Sequence, residues 1–283
     1  MSVRGNIWRL PHGDEIGAVL PPEIDTSTPH PARMYDYYLG GKDNFAADRI
    51  AAEQVMAAAP GAADSARGNR AFLRRSVRLL AESGVRQFLD IGTGIPAAGN
   101  THEIAQAVRP DARVAYLDND PIVLVHARAL MTGDERGRLT YIQGDLRDGG
   151  ALARIPEVRE VLDFDEPIAL MLLAILHFVR DSDDPAAIVA ELRDALPTGS
   201  YLVLSHASAD FDPARANSGA QVYDRATAPV VLRSHAEVEQ LFAGFELLAP
   251  GLVNLPRWRP DSREAGEYDP DLVWLYGGVA RKL

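Results

Sequence analysis

The chain has 283 residues, 47% of them hydrophobic and 24% charged, which is enough apolar material for a full core and excludes a disordered or fibrous protein. A net charge of -11 repels a phosphate backbone and argues against a nucleic-acid partner, and the absence of cysteine excludes disulfides and thiolate metal sites. The start MSVRGNIWRL has no apolar signal core and no apolar run approaches the roughly 18 residues of a membrane span, so composition points to a cytoplasmic protein with no membrane partner.

Residues 1 to 31, rich in Pro, Gly and acidic groups, read as an arm. Composition favours a helix from Asp48 to Ala59, and from Asn69 to Ser83 the residues Leu73, Val77 and Leu80 fall at i, i+4, i+7 ahead of Gly84. This N-terminal arm and helical cap, residues 1–84, precedes a sheet domain over residues 85–283. Predicted strands follow at Val85 to Asp90, Arg113 to Asp118, Leu139 to Gln143, Ile168 to Ile175 and Tyr201 to His206. Between them, Asp120-Pro121 opens PIVLVHARALM and Asp184-Pro185 opens PAAIVAELRDAL, each a capping acid followed by Pro at the first helical position. Such alternation builds an α/β fold, a parallel sheet with helices on both faces. After a helix over Ser234 to Phe242, FELLAPGLV and DLVWLYGGVARK are strands joined without a helix, so the last inserts antiparallel. The expectation is a Rossmann-like sheet of about seven strands with the last antiparallel.

The stretch DIGTGIPAAGN, Asp90 to Asn100, satisfies a dinucleotide pattern from Gly92 to Ala97, which keeps an NAD-dependent oxidoreductase in view. A later helix start fits better, because Asn100 with Glu103 three residues on forms a capping box, whereas a start at Pro96 would put Gly99 in the first turns at about 1 kcal/mol. A long loop from Ile91 to Gly99 suits a ligand tail bearing an amine and a carboxylate. Asp118 ends the second strand, where a carboxylate accepts both hydroxyls of a ribose; Asp145 ends the third, where it accepts from an adenine amino group while Leu146 donates a backbone N–H to the ring. The competing reading makes Asp118 a helix cap and Asp145 a turn residue.

RMYDYYLGGKDNFAADR, DIGTGIPAAGNTHEIAQ, YLDNDPIVL, LLAILHFV and QLFAGFELLAPGLV resemble the S-adenosylmethionine-dependent methyltransferase family common in actinobacteria, long called a domain of unknown function, over about residues 30 to 283. The resemblance implies the class I methyltransferase fold, S-adenosylmethionine as cofactor, and Gly92, Thr93, Gly94, Asp118, Asn119, Asp145 and Leu146 as cofactor contacts. Asp90, Asn100 and Ala174, beside those motifs, complete the expected set. It assigns no methyl acceptor, for which a small molecule is the expectation. A non-catalytic S-adenosylmethionine-binding protein is a further reading.

A sulfonium methyl is already electrophilic, so the protein mainly has to align a nucleophile and exclude water. Where a proton must leave, His177 after the fourth strand is the candidate base, with packing of the strand end as the alternative. His206 is a second candidate, and His102 serves the first turn of its helix. The seven histidines show no H-E-x-x-H spacing, so no metal is expected. Tyr35 to Phe45, YDYYLGGKDNF, reads as a lid over the cofactor cleft, Tyr35 supplying cover and Lys42 or Asn44 reaching the carboxylate of the donor's tail; packing against the first helices is the alternative.

Overall fold

The computed structural model describes residues 25–124 and 136–283. Most of the expected arm and all but residues 121–124 of the helix expected from Pro121 lie outside the described residues; those four are helical.

Three helices precede the sheet: α1 (Pro31–Tyr38), α2 (Ala46–Ala58) and α3 (Ala62–Glu82). The first was not expected, because the sequence reads there as the end of an arm and a lid. Pro31 occupies the first helical turn, where its missing N–H costs nothing, and the His30 ring accepts the N–H of Ala32 at 3.3 Å. Tertiary contacts then hold the helix: Met34 and Tyr38 are buried in a cluster with Ala52 and Val55 of α2, Ala66 of α3, and Tyr223. Asp48 fastens the junction, accepting the N–H of His30 at 2.9 Å and that of Phe45 at 2.8 Å.

Strands β1 (Gln87–Ile91), β2 (Arg113–Asp118), β3 (Arg138–Gln143), β4 (Ala169–Leu173) and β5 (Tyr201–Ala207) pair in parallel. Strands β6 (Phe245–Leu247), β7 (Val253–Asn254) and β8 (Leu275–Lys282) complete an eight-stranded sheet in the order β3, β2, β1, β4, β5, β8, β6, with β7 also on β8. As expected, β8 runs antiparallel to β5, Val203 lying opposite Val279, because the chain returns to it without a crossover helix. Every residue of β1 and β4 is buried, which explains the unbroken apolar character of β4, while β1 carries Gln87 and Asp90 into the interior.

Helices α4 (Thr101–Val108), α5 (Pro156–Val161), α6 (Pro185–Ala195), α7 (Pro213–Val222) and α8 (His235–Gln240) complete the layers. The Asp184 cap, accepting from Ala187 N at 3.1 Å, and the Ser234 and Glu237 capping box start α6 and α8. Helices α5 and α7 were not legible in advance. On one sheet face Leu170 and Leu172 pack with Ile188 and Leu192 of α6; on the other Phe88 and Val114 pack with Phe72, Val77 and Leu80 of α3. Thus α3 belongs to the core of the sheet, while α1 and α2 join α7 in the smaller cluster. Among the described residues no helix is long and apolar enough to cross a membrane.

Candidate active site

A cleft of about 370 Å³ opens at the carboxyl ends of β1 to β4. Asp90, Gly92, Thr93, Gly94, Asp118, Asn119, Asp145, Leu146 and Ala174 all line it, and Tyr35 covers it from α1. The glycine loop turns because Gly92 and Gly94 take φ of 76° and 67°, and Gly92 N–H and Thr93 N–H both donate to Leu117 O. A methyl group on Gly92 would lie 2.5 Å from Ile175 Cγ1, whereas one on Gly94 would meet nothing within 4 Å, so Gly94 borders open space. Helix α4 starts late, as expected, with Asn100 as its N-cap residue. The expected capping box does not form: the Asn100 side chain points backwards, accepting Ala97 N–H at 3.3 Å, and Glu103 accepts Gly99 N–H at 2.8 Å. Asn100 therefore shapes the loop from behind and does not line the cleft.

The acids divide their work. Asp118 is buried and accepts from Gly94 N at 2.8 Å and from Asp120 N at 3.0 Å. The helix cap is its neighbour Asp120, which accepts Ile122 N–H at 2.9 Å, so the capping reading belongs to Asp120. Burial pushes the Asp118 pKa up to about 6, with backbone hydrogen bonds opposing and the Asp120 and Asp90 carboxylates adding to it. Asp90, beneath the loop, accepts from Thr101 Oγ1 at 2.6 Å and is likewise pushed by burial to about 6. Asp145 both lines the cleft and begins a short 3₁₀ turn, accepting Arg147 N–H at 2.9 Å; the hydrogen-bonded Arg147 side chain holds its carboxyl below the usual range.

Lys42 and Asn44 stand elsewhere. Lys42 is exposed, and Asn44 is buried with its amide donating to Asp36 Oδ2 at 2.7 Å and Gly41 O at 3.1 Å, so the Gly40–Asn44 turn folds back onto α1 rather than over the cleft. The cation beside the glycine loop is Arg70, which donates to Ala98 O at 3.1 Å and Gly99 O at 2.7 Å and lines the cleft. Its neighbour Asn69 donates to Tyr35 Oη at 3.0 Å and accepts from Ser205 Oγ at 2.6 Å, tying α1 and α3 to β5. Sequence reasoning missed both; their one signal was a polar pair on the helix turn that precedes Leu73.

A second cavity of about 130 Å³ adjoins the cleft, walled by Tyr38, His177, Phe178, Tyr223 and Trp274 among small residues. Among the described residues lining it, none is charged. Cleft and cavity share Pro31, Tyr35, Ala174 and Phe178. His177 lines this cavity and not the cleft. Its Nδ1 accepts Ala207 N–H at 3.3 Å, and burial drives its pKa well below the usual histidine value, with His206 and Arg233 adding to the effect. His206 is fully engaged: its Nδ1 bonds Ala207 O at 2.7 Å, and its Nε2 faces Arg233 Nη1 at 2.9 Å. That makes it a structural histidine rather than a second base. His102 sits in the first turn of α4 with its ring on Tyr116 Oη. Among the described residues no three His, Asp or Glu side chains converge as metal ligands.

A parallel sheet with a reversed last strand, a glycine loop after β1 and carboxylates after β2 and β3 on one edge defines a class I methyltransferase. The chain belongs to the S-adenosyl methyltransferase family, whose profile matches residues 18–283, and its methyl donor is S-adenosylmethionine. It is 44% identical to a protein of the DUF574 family from Streptomyces avermitilis MA-4680, with 92% of this chain and 99% of that one covered at a TM-score of 0.88. A candidate methyltransferase from Thermobifida fusca YX is 40% identical, with 93% and 98% covered at a TM-score of 0.84. The magnesium protoporphyrin IX methyltransferase of Synechocystis PCC 6803, solved with S-adenosylhomocysteine, shares the fold at 13% identity, with 88% and 93% covered at a TM-score of 0.53. No curated protein shows significant similarity to the chain.

Proposed function

We propose that the protein transfers the methyl group of S-adenosylmethionine to a small molecule held in the apolar cavity, at the boundary where cleft and cavity meet. The observation that supports this reading is the wall that cleft and cavity share, Pro31, Tyr35, Ala174 and Phe178, across which a donor in the one would meet an acceptor in the other. When bound, the donor supplies an electrophilic methyl group, so the chain itself has to bind, orient and exclude water.

The cleft residues suit the donor's three parts. Asp118 keeps lone pairs free of its two backbone bonds for ribose hydroxyls, and Asp145 with Leu146 borders the place for adenine. Asp90 and Arg70 supply opposite charges at the glycine loop, suited to the ammonium and carboxylate of an amino-acid tail. Tyr35, anchored by Ala66 O at 3.0 Å and by Asn69, keeps the boundary dry. Helix α4 starts beyond the loop, which leaves no helix N-terminus against a diphosphate and removes the support for NAD. The test is calorimetric: S-adenosylmethionine and S-adenosylhomocysteine bind, and Arg70→Ala and Asp118→Ala weaken both. Tight binding of NAD with no response to either adenosyl ligand would overturn the reading.

A further inference from the structure

We propose that the acceptor is a single-ring phenol that reacts as its phenolate, with His177 donating a hydrogen bond to the phenolate oxygen rather than removing a proton. This rests on the donor site proposed above and deepens it to a substrate class.

A cavity of about 130 Å³ is close to the roughly 150 Å³ of an apolar cavity that accepts benzene, so one ring fits. Tyr38, Phe178, Tyr223 and Trp274 offer aromatic walls, and among the described lining residues none is charged, so an ammonium group or a carboxylate-bearing side chain on the ring would be desolvated without a partner.

The polar atoms then choose the reacting group. Because His177 Nδ1 accepts Ala207 N–H, the ring hydrogen of neutral His177 is on Nε2, and Nε2 has no partner among the described residues. Among the described residues the charged or titratable groups around this ring are the cavity's Tyr38 and Tyr223, together with His206 and Arg233, of which the last two disfavour a second proton on it. Tyr38 and Tyr223 hydroxyls bond each other at 2.9 Å; only one hydrogen lies between them, so the other is left to donate. Tyr35 Oη donates to Ala66 O and Ser65 Oγ to Leu272 O, which leaves them no hydrogen for a ligand. With the Ser208 hydroxyl, which accepts Asp210 N–H and keeps its own hydrogen, the polar side chains lining the cavity offer donors and no base. Such a set favours an oxygen rich in lone pairs, and the sulfonium across the shared wall balances its charge.

The phenolic proton leaves to water as the phenolate forms. The phenolate oxygen bonds to the methyl carbon as the carbon–sulfur bond breaks, and that electron pair stays on sulfur.

The experiment uses 4-nitrophenol, whose phenolate is coloured, with the protein saturated by S-adenosylhomocysteine or by sinefungin, which carries an ammonium where the donor has its sulfonium. The expected result is binding in both, with the ionisation of bound 4-nitrophenol shifted to lower pH, more so with sinefungin. His177→Phe removes the larger part of the shift while S-adenosylhomocysteine affinity stays within about twofold, and His177→Gln, which restores an N–H, recovers it. In turnover, the inflection of kcat/KM against pH moves between phenol and 4-nitrophenol with each compound's own acidity, whereas an enzymic base would hold it in one place. A fixed inflection, or no binding of either phenol while S-adenosylhomocysteine still binds, overturns the phenol proposal alone. Failure of S-adenosylhomocysteine to bind overturns the donor site beneath it.

Discussion

The Asp118 carboxylate accepts the backbone N–H of Gly94 at 2.8 Å, joining the end of β2 to the open side of the glycine loop. One carboxylate therefore shapes the cleft and faces it. Asp118→Ala is expected to weaken S-adenosylhomocysteine binding by about 1.5 to 3 kcal/mol, the range for hydrogen bonds to a charged group. Calorimetry on the folded variant checks this; unchanged affinity would leave Asp118 as a loop tie only.

Asp90 and Asp118 are both pushed from 3.8 to about 6 by burial. A folded-state pKa above the unfolded value means that the native carboxyl holds its proton longer, so its contribution to stability falls as pH rises from about 4 to about 6 and stays lowered above. The cost at pH 7 is on the order of 1 to 3 kcal/mol for each acid. Asp90→Asn should therefore raise the Tm of the donor-free protein at pH 7, with the gain shrinking toward pH 4. A variant that melts lower at pH 7 would show that the ionised form is held more favourably than burial implies.

Arg70 and Lys42 give opposite expectations. Arg70 lines the cleft at the glycine loop, and Lys42 is exposed outside the cleft lining. Arg70→Ala should weaken donor binding by roughly 1.5 to 3 kcal/mol, while Lys42→Ala stays within a few tenths. Equal losses would return the lysine turn to the site.

The two loop glycines separate folding from binding. Gly92→Ala forces a methyl group onto Ile175 at positive φ and should lower Tm sharply. Gly94→Ala pays only the left-handed backbone cost of about 1 to 2 kcal/mol but projects into open cleft, so donor affinity should fall by more than stability. Comparable donor affinity in Gly94→Ala and wild type would place the ligand away from this loop.

Asn69 bridges Tyr35 and Ser205. Removing its amide costs each hydroxyl one hydrogen bond, leaving Tyr35 Oη on Ala66 O and Ser205 Oγ on Ala174 N, and Asn69→Ala should destabilise the protein by about 1 to 3 kcal/mol in urea unfolding. A change below half a kcal/mol would mean that water replaces the bridge.

What the sequence determined by itself was carried by neighbours along the chain. The Asp184 and Ser234 caps, the late start of α4 behind Asn100, and the alternation that makes β1 to β5 parallel all rest on contacts a few residues apart or on one period of hydrophobicity. Asp118 and Asp145 were legible because the ends of parallel strands share one edge of the sheet wherever the chain goes between them. Only the tertiary structure decided the rest. The second cavity exists because Tyr38 meets Tyr223 across 185 positions, and α1 and α7, weak as isolated segments, hold their shape by burying one another's partners. Arg70 outranks Lys42 because the long α3 delivers it to the glycine loop, a placement that the identity of a lone lysine could not foretell. Which nitrogen of neutral His177 carries the hydrogen depends on an N–H 30 positions away at Ala207, since an imidazole's tautomer follows the partner that packing brings to its other nitrogen.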